Sequence, residues 1–103
     1  MARIFFGTEF KLNINIEPLD DITMDDYDFT VELSTMQKSL KYDKSQLIRQ
    51  DKNNYTVLVN TEEIGLGSLR CKVTANIPDT DFEDGFRTEV VIINPEIHIS
   101  KAI

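Results

Sequence analysis

Within residues 8–17 (TEFKLNINIE), Phe10, Leu12, Ile14 and Ile16 alternate with Lys11, Asn13, Asn15 and Glu17. Successive side chains of a strand point to opposite faces, so this run has one buried face and one wet face. The same pattern returns in DYDFTVELS, with Tyr27, Phe29, Val31 and Leu33 inside, and in SLRCKVTANI, with Leu69, Cys71, Val73, Ala75 and Ile77 inside. A chain carrying several such runs must build antiparallel sheet and cover its apolar side with a second layer.

The remaining segments fill in around that pattern. NYTVLVNT is a strand with Tyr55, Val57 and Val59 on one face, and Leu58 points to a second side that is expected to be partly covered. Two short edge strands are expected near Ser39–Tyr42 and Gln46–Gln50, where lysines protect an edge, with a short helix over Lys44–Arg49 as the alternative. In TEEIG, Thr61 can cap one helical turn, Glu62 and Glu63 suit its positive end, and Gly65 and Gly67 can take positive φ to stop it. Pro18 ends the first ladder, and PLDDITMDD is a connection whose aspartates suit turns. FRTEVVIIN is the last long strand, and PEIHISKAI adds a short one. About seven strands and no helix of normal length make the expected fold all-β, a single Ig-like antiparallel β-sandwich over residues 1–103. Its expected core includes Phe10, Leu12, Ile14, Phe29, Val31, Leu33, Val57, Val59, Leu69, Cys71, Val73 and Val90.

Charge narrows the function. Lys plus Arg is 11 and Asp plus Glu is 18, so the formal net charge is −7. An acidic chain with scattered cations is a poor match for a phosphate backbone or an anionic bilayer, so no nucleic-acid partner and no membrane insertion are expected. The apolar patch Ile4-Phe5-Phe6 is shorter than the ~7–15 apolar residues of a signal sequence, and synthesis in the cytoplasm is the default. One cysteine excludes an internal disulfide and a Cys-rich zinc site.

Candidate chemistry is sparse. Cys71 lies on the apolar face of a strand, and His98 is the one histidine, in the alternation Ile97-His98-Ile99. Nothing places a base beside a nucleophile, so no catalytic residue is assigned and the chain is not expected to be an enzyme. Gly65-Leu66-Gly67 lacks the third glycine of a dinucleotide loop, and no cofactor is expected. Asp79, Asp81, Glu83 and Asp84 could offer oxygens to calcium. However, the glycine falls one position late for an EF-hand loop, and Val90 stands where the closing glutamate would be, so an acidic turn is the expected reading.

The run YTVLVNTEEIGLGSLRCKV resembles phage tail and baseplate domains of the immunoglobulin-like type. In those a strand ends in Asn/Asp-Thr, a helical turn carries Gly-x-Gly, and an alternating strand follows. Here those elements are Tyr55–Asn60, Thr61–Gly67 and Ser68–Ile77. IPDTDFEDGFRTEV also resembles segments of small virion proteins from phages and prophages of gut Bacteroidetes. The resemblance implies a non-enzymatic particle component that assembles with itself and with other virion proteins, made in the bacterial cytoplasm and located in the virion. The chain departs from antibody-type domains. It has no tryptophan, no cysteine in Tyr27–Leu33 to pair with Cys71, and Leu69 where a corner tyrosine would stand. A carbohydrate- or host-surface-binding domain is the alternative, with Phe5, Phe6, Tyr42, Phe82 and Phe86 as candidate sugar-stacking rings.

Val90, Val91, Ile92 and Ile93 are apolar on both faces of one strand, and such a strand is normally covered on both sides. The expected cover is a second chain, in a homo-oligomer whose interface contains Ile4, Phe5, Phe6, Val91 and Ile93. The alternative is that residues 1–6 fold back over Val91 and Ile93.

Overall fold

The computed structural model describes residues 2–16 and 27–102. The connection expected over Pro18–Asp26, with Asp20, Asp21, Asp25 and Asp26, lies outside the described residues. The strands are β1 (Ala2–Phe5), β2 (Glu9–Asn15), β3 (Asp28–Ser34), β4 (Ser39–Asp43), β5 (Ile48–Asp51), β6 (Asn54–Asn60), β7 (Gly67–Ser68), β8 (Arg70–Pro78), β9 (Phe86–Ile93) and β10 (Ile97–Ser100). A 3-10 turn spans Lys44–Gln46, and one helical turn, α1, spans Thr61–Ile64. The chain is all-β.

Two larger sheets, in the orders β2-β6-β5 and β4-β3-β8-β9, hold the expected seven strands. A third, small sheet has the order β1-β10-β7, and β1 runs parallel to β10, so Ile4 faces Ile99. β1 and the two-residue β7 are not among the strands that the sequence pattern predicts. Because side chains alternate, the inward rows of the larger sheets form one sandwich core: Leu12, Ile14, Tyr55, Val57 and Val59 from one, Phe29, Val31, Leu33, Cys71 and Val73 from the other. Phe29 meets Tyr55 edge to face, with ring centroids 5.1 Å apart.

Register decides which face of β9 is inside. Cys71 pairs with Ile93 and Val73 with Val91, so the odd-numbered residues of β9 share the inner face of β8. Val90 therefore does not belong to the core; it points outward and is 50% exposed. Leu58 also stands outside, at 55% exposed, so that side of β6 is not covered in the single chain. The alternative, a fold-back of residues 1–6 over β9, does not take the form of strand pairing, because β1 pairs with β10 and not with β9.

Local chemistry explains the connections. The residue that caps α1 is Asn60, not Thr61: its side-chain oxygen accepts the Glu62 N–H at 3.0 Å. Thr61 is fully buried, and its hydroxyl accepts from the Gly7 N–H and donates to the Thr8 carbonyl, both at 2.8 Å. Gly65 (φ +84°) and Gly67 (φ +120°) take positive φ, as their position after the turn requires. The alternative helix over Lys44–Arg49 shrinks to the 3-10 turn, from which Lys44 Nζ reaches the Tyr27 carbonyl at 2.9 Å and lies 5.6 Å from the centre of the Phe29 ring.

Candidate functional site

The outer face of the four-stranded sheet is polar on three of its strands. β3 presents Asp28, Thr30, Glu32 and Ser34, and β8 presents Arg70, Lys72, Thr74 and Asn76 on the same side. β4 adds Ser39, Lys41 and Asp43. The pattern then reverses at β9, whose outward row is Phe86, Thr88, Val90 and Ile92, with Ile92 at 70% and Phe86 at 50% exposed. The apolar surface of this face is thus confined to its edge strand.

The expected interface residues separate into two groups. Val91 and Ile93 are half-buried against the core, and Ile4 is half-buried in the small sheet. Phe5, the last residue of β1, and Phe6, in the turn after it, are exposed. The outward partners on β9 are Val90 and Ile92, which alternation alone could not distinguish from Val91 and Ile93.

The hairpin joining β8 to β9 carries the acidic loop. Asp79 accepts the Asp81 N–H at 3.0 Å, and its second oxygen lies 3.6 Å from Arg87 Nε. Asp84 accepts the Phe86 N–H at 3.3 Å. These carboxylates shape the turn. Among the described residues, no three His, Cys, Asp or Glu side chains come together as metal ligands would, so Asp79, Asp81, Glu83 and Asp84 do not converge. Arg87 also lies 3.4 Å from Glu89, a carboxylate buried on the inner face of β9. The sequence pattern missed this pair because both residues occupy apolar-phase positions.

Beside the hairpin lies an open hollow of about 350 Å³ lined by Tyr27, Asp28, Asn76, Pro78, Asp84 and Phe86. Phe82 is exposed at the loop tip, whereas Tyr42 packs against the core. Of the candidate stacking rings, only Phe86 lines this hollow.

Cys71 and His98 stand in different settings. Cys71 is buried, and desolvation pushes its thiol up to about 11, which disfavours the thiolate. His98 Nδ1 lies 3.3 Å from Ser68 Oγ, the residue opposite it across the β10–β7 ladder. Among the described residues, no helix is long and apolar enough to cross a membrane.

No protein-family model, curated protein or solved structure matches the chain. The interpretation therefore rests on surface chemistry.

Proposed function

We propose that this chain is a non-enzymatic structural and assembly module of a phage or prophage particle, acting through protein–protein contacts with copies of itself and with other virion proteins. The observation that carries this reading is the outward row Phe86, Val90 and Ile92 on an otherwise polar sheet face. An apolar edge of that kind is a surface for joining to protein. The resemblance of Tyr55–Ile77 to tail and baseplate domains supports the particle setting. The protein is made in the bacterial cytoplasm and ends in the virion. Gene neighbourhood tests this: portal, capsid or tail genes beside its gene are the expected result, and a neighbourhood of metabolic genes would contradict it.

A second reading has one observation in its favour. The hollow beside the hairpin offers the Phe86 and Tyr27 rings together with Asp28, Asn76 and Asp84. Rings for stacking beside carboxylates and an amide for hydroxyl groups suit a sugar. A glycan array separates the two readings, because strong saturable hits lost in Phe86→Ala would favour carbohydrate binding.

A further inference from the structure

The hollow beside the β8–β9 hairpin does not end at Asp28 and Asn76. Those two residues stand opposite each other on β3 and β8, and they also line a second hollow of about 300 Å³ on the same outer sheet face. Its far wall is the 3-10 turn after β4, with Asp43, Lys44 and Ser45. Register fixes the floor between the walls. Thr30 pairs with Asp43 on one side and Thr74 on the other, Asn76 pairs with Asp28 and Thr88, and Pro78 pairs with Phe86. The two hollows thus form one groove that runs diagonally over all four strands. It is three strand spacings wide, roughly 14 Å.

The lining is mixed in chemistry. Phe86 offers an exposed apolar ring at one end. Asn76 offers an amide that both donates and accepts, and Thr30, Thr74 and Ser45 offer hydroxyls along the rest. That combination takes a ring-shaped polyol, whose C–H face lies on an aromatic ring and whose hydroxyls need donors and acceptors together. Charge narrows the class. Asp28, Asp43 and Asp84 bring three carboxylates, against the single ammonium of Lys44. Asp84 accepts the Phe86 N–H, and Asp43 forms a capping box with Gln46. Their partners are uncharged, so the negative charge stays. Lys44 turns its Nζ to the Tyr27 carbonyl and the Phe29 ring. A neutral ligand seated here takes water from the carboxylates and returns no charge, and an anionic ligand is repelled. An ammonium group satisfies them with charge-assisted hydrogen bonds. On the next rung Glu32 stands between Lys41 and Lys72, so the acidic stretch ends at Thr30 and Thr74.

We propose that this groove binds a short oligosaccharide of amino sugars, with one ring stacked on Phe86 and an ammonium group held at Asp28, the carboxylate common to both hollows. This rests on the carbohydrate reading of the hollow and names the sugar class and the length of the site. Val90 and Ile92 lie outside the groove, so a particle component can use its apolar edge for protein and this groove for a glycan.

The probe is a tetrasaccharide of glucosamine, titrated calorimetrically into the full chain at pH ~6, where an aliphatic amine is protonated. Its N-acetylated counterpart has the same rings and no charge. The expected result is saturable binding of the glucosamine tetrasaccharide, about tenfold or more tighter than that of the N-acetylated one. Asp28→Asn and Phe86→Ala, both at exposed positions, are each expected to keep the circular dichroism spectrum and weaken binding about tenfold. Glu62→Gln, the same change of charge placed on α1, is expected to leave binding unchanged. Equal affinity for the two tetrasaccharides overturns the proposal, and so does a loss in Glu62→Gln as large as that in Asp28→Asn, because binding would then not read charge in the groove. Failure of the glucosamine tetrasaccharide to bind overturns it as well. The carbohydrate reading itself is decided separately by the glycan array, where saturable hits on other sugars that are lost in Phe86→Ala would keep that reading and reject the amino-sugar class.

Discussion

Thr61 shows how one side chain can hold a junction. It is fully buried between the turn after β1 and the start of α1, and its hydroxyl bonds to Gly7 and Thr8 on the far side of the chain. Thr61→Val keeps the shape but strips the Gly7 N–H of its acceptor, and is expected to cost about 1–3 kcal/mol in urea unfolding. Thr61→Ser is expected to recover most of that loss. Cys71 makes a prediction about pH. Burial holds the folded thiol protonated up to about 11, against an ordinary value of 9.0. Between those values the unfolded chain binds fewer protons than the folded one, so stability is intact below 9.0 and falls as pH rises toward about 11. The expected loss is roughly 2–3 kcal/mol. Tyr42, raised by burial and then by the charge of Glu63, adds a loss of the same sign at higher pH. Denaturant melts at stepped pH check this, and Cys71→Ala is expected to flatten the lower part of the decline.

At the scale of elements, strands with two different faces were legible and the rest were not. Residues 10–16, 27–34 and 69–77 alternate cleanly, and their inward rows are the ones now buried, apart from the half-buried Phe10 and Tyr27. β9 has Val and Ile on both faces, so alternation carries no phase; only its pairing with β8 puts Val91 inside and Val90 outside. Ile64 and Ile99, both fully buried, escaped notice because one sits in a single helical turn and the other in a strand of four residues. The parallel pairing of β1 with β10 joins opposite ends of the chain, and no local pattern encodes it. The candidate site was legible as an apolar segment but not as a sheet edge, since edges are set by topology. The Gly-x-Gly turn was readable and can be tested. A Cβ at Gly65 would lie 2.6 Å from Gln37 Oε1, which accepts the Leu66 N–H, and φ there is +84°. Gly65→Ala is expected to cost about 1–3 kcal/mol from backbone strain and the displaced hydrogen bond, measured by thermal unfolding.

The whole molecule has one core shared by both larger sheets, and Val73 lies fully buried within it. Val73→Asp places an unpaired carboxylate there and is expected to cost several kcal/mol of a total stability near ~5–15 kcal/mol, seen as loss of the cooperative transition. Outside that core, the polar sheet face and its apolar edge strand lead to the central claim, that the chain joins copies of itself through β9. Light scattering on the full chain at ~100 µM measures this directly, well above a typical micromolar Kd. The account predicts a mass of two or more times the 11.8 kDa of one chain. That mass should persist in high salt, because an interface through the exposed apolar row Phe86, Val90 and Ile92 does not depend on screened charge. A mass of 11.8 kDa in both low and high salt would contradict it.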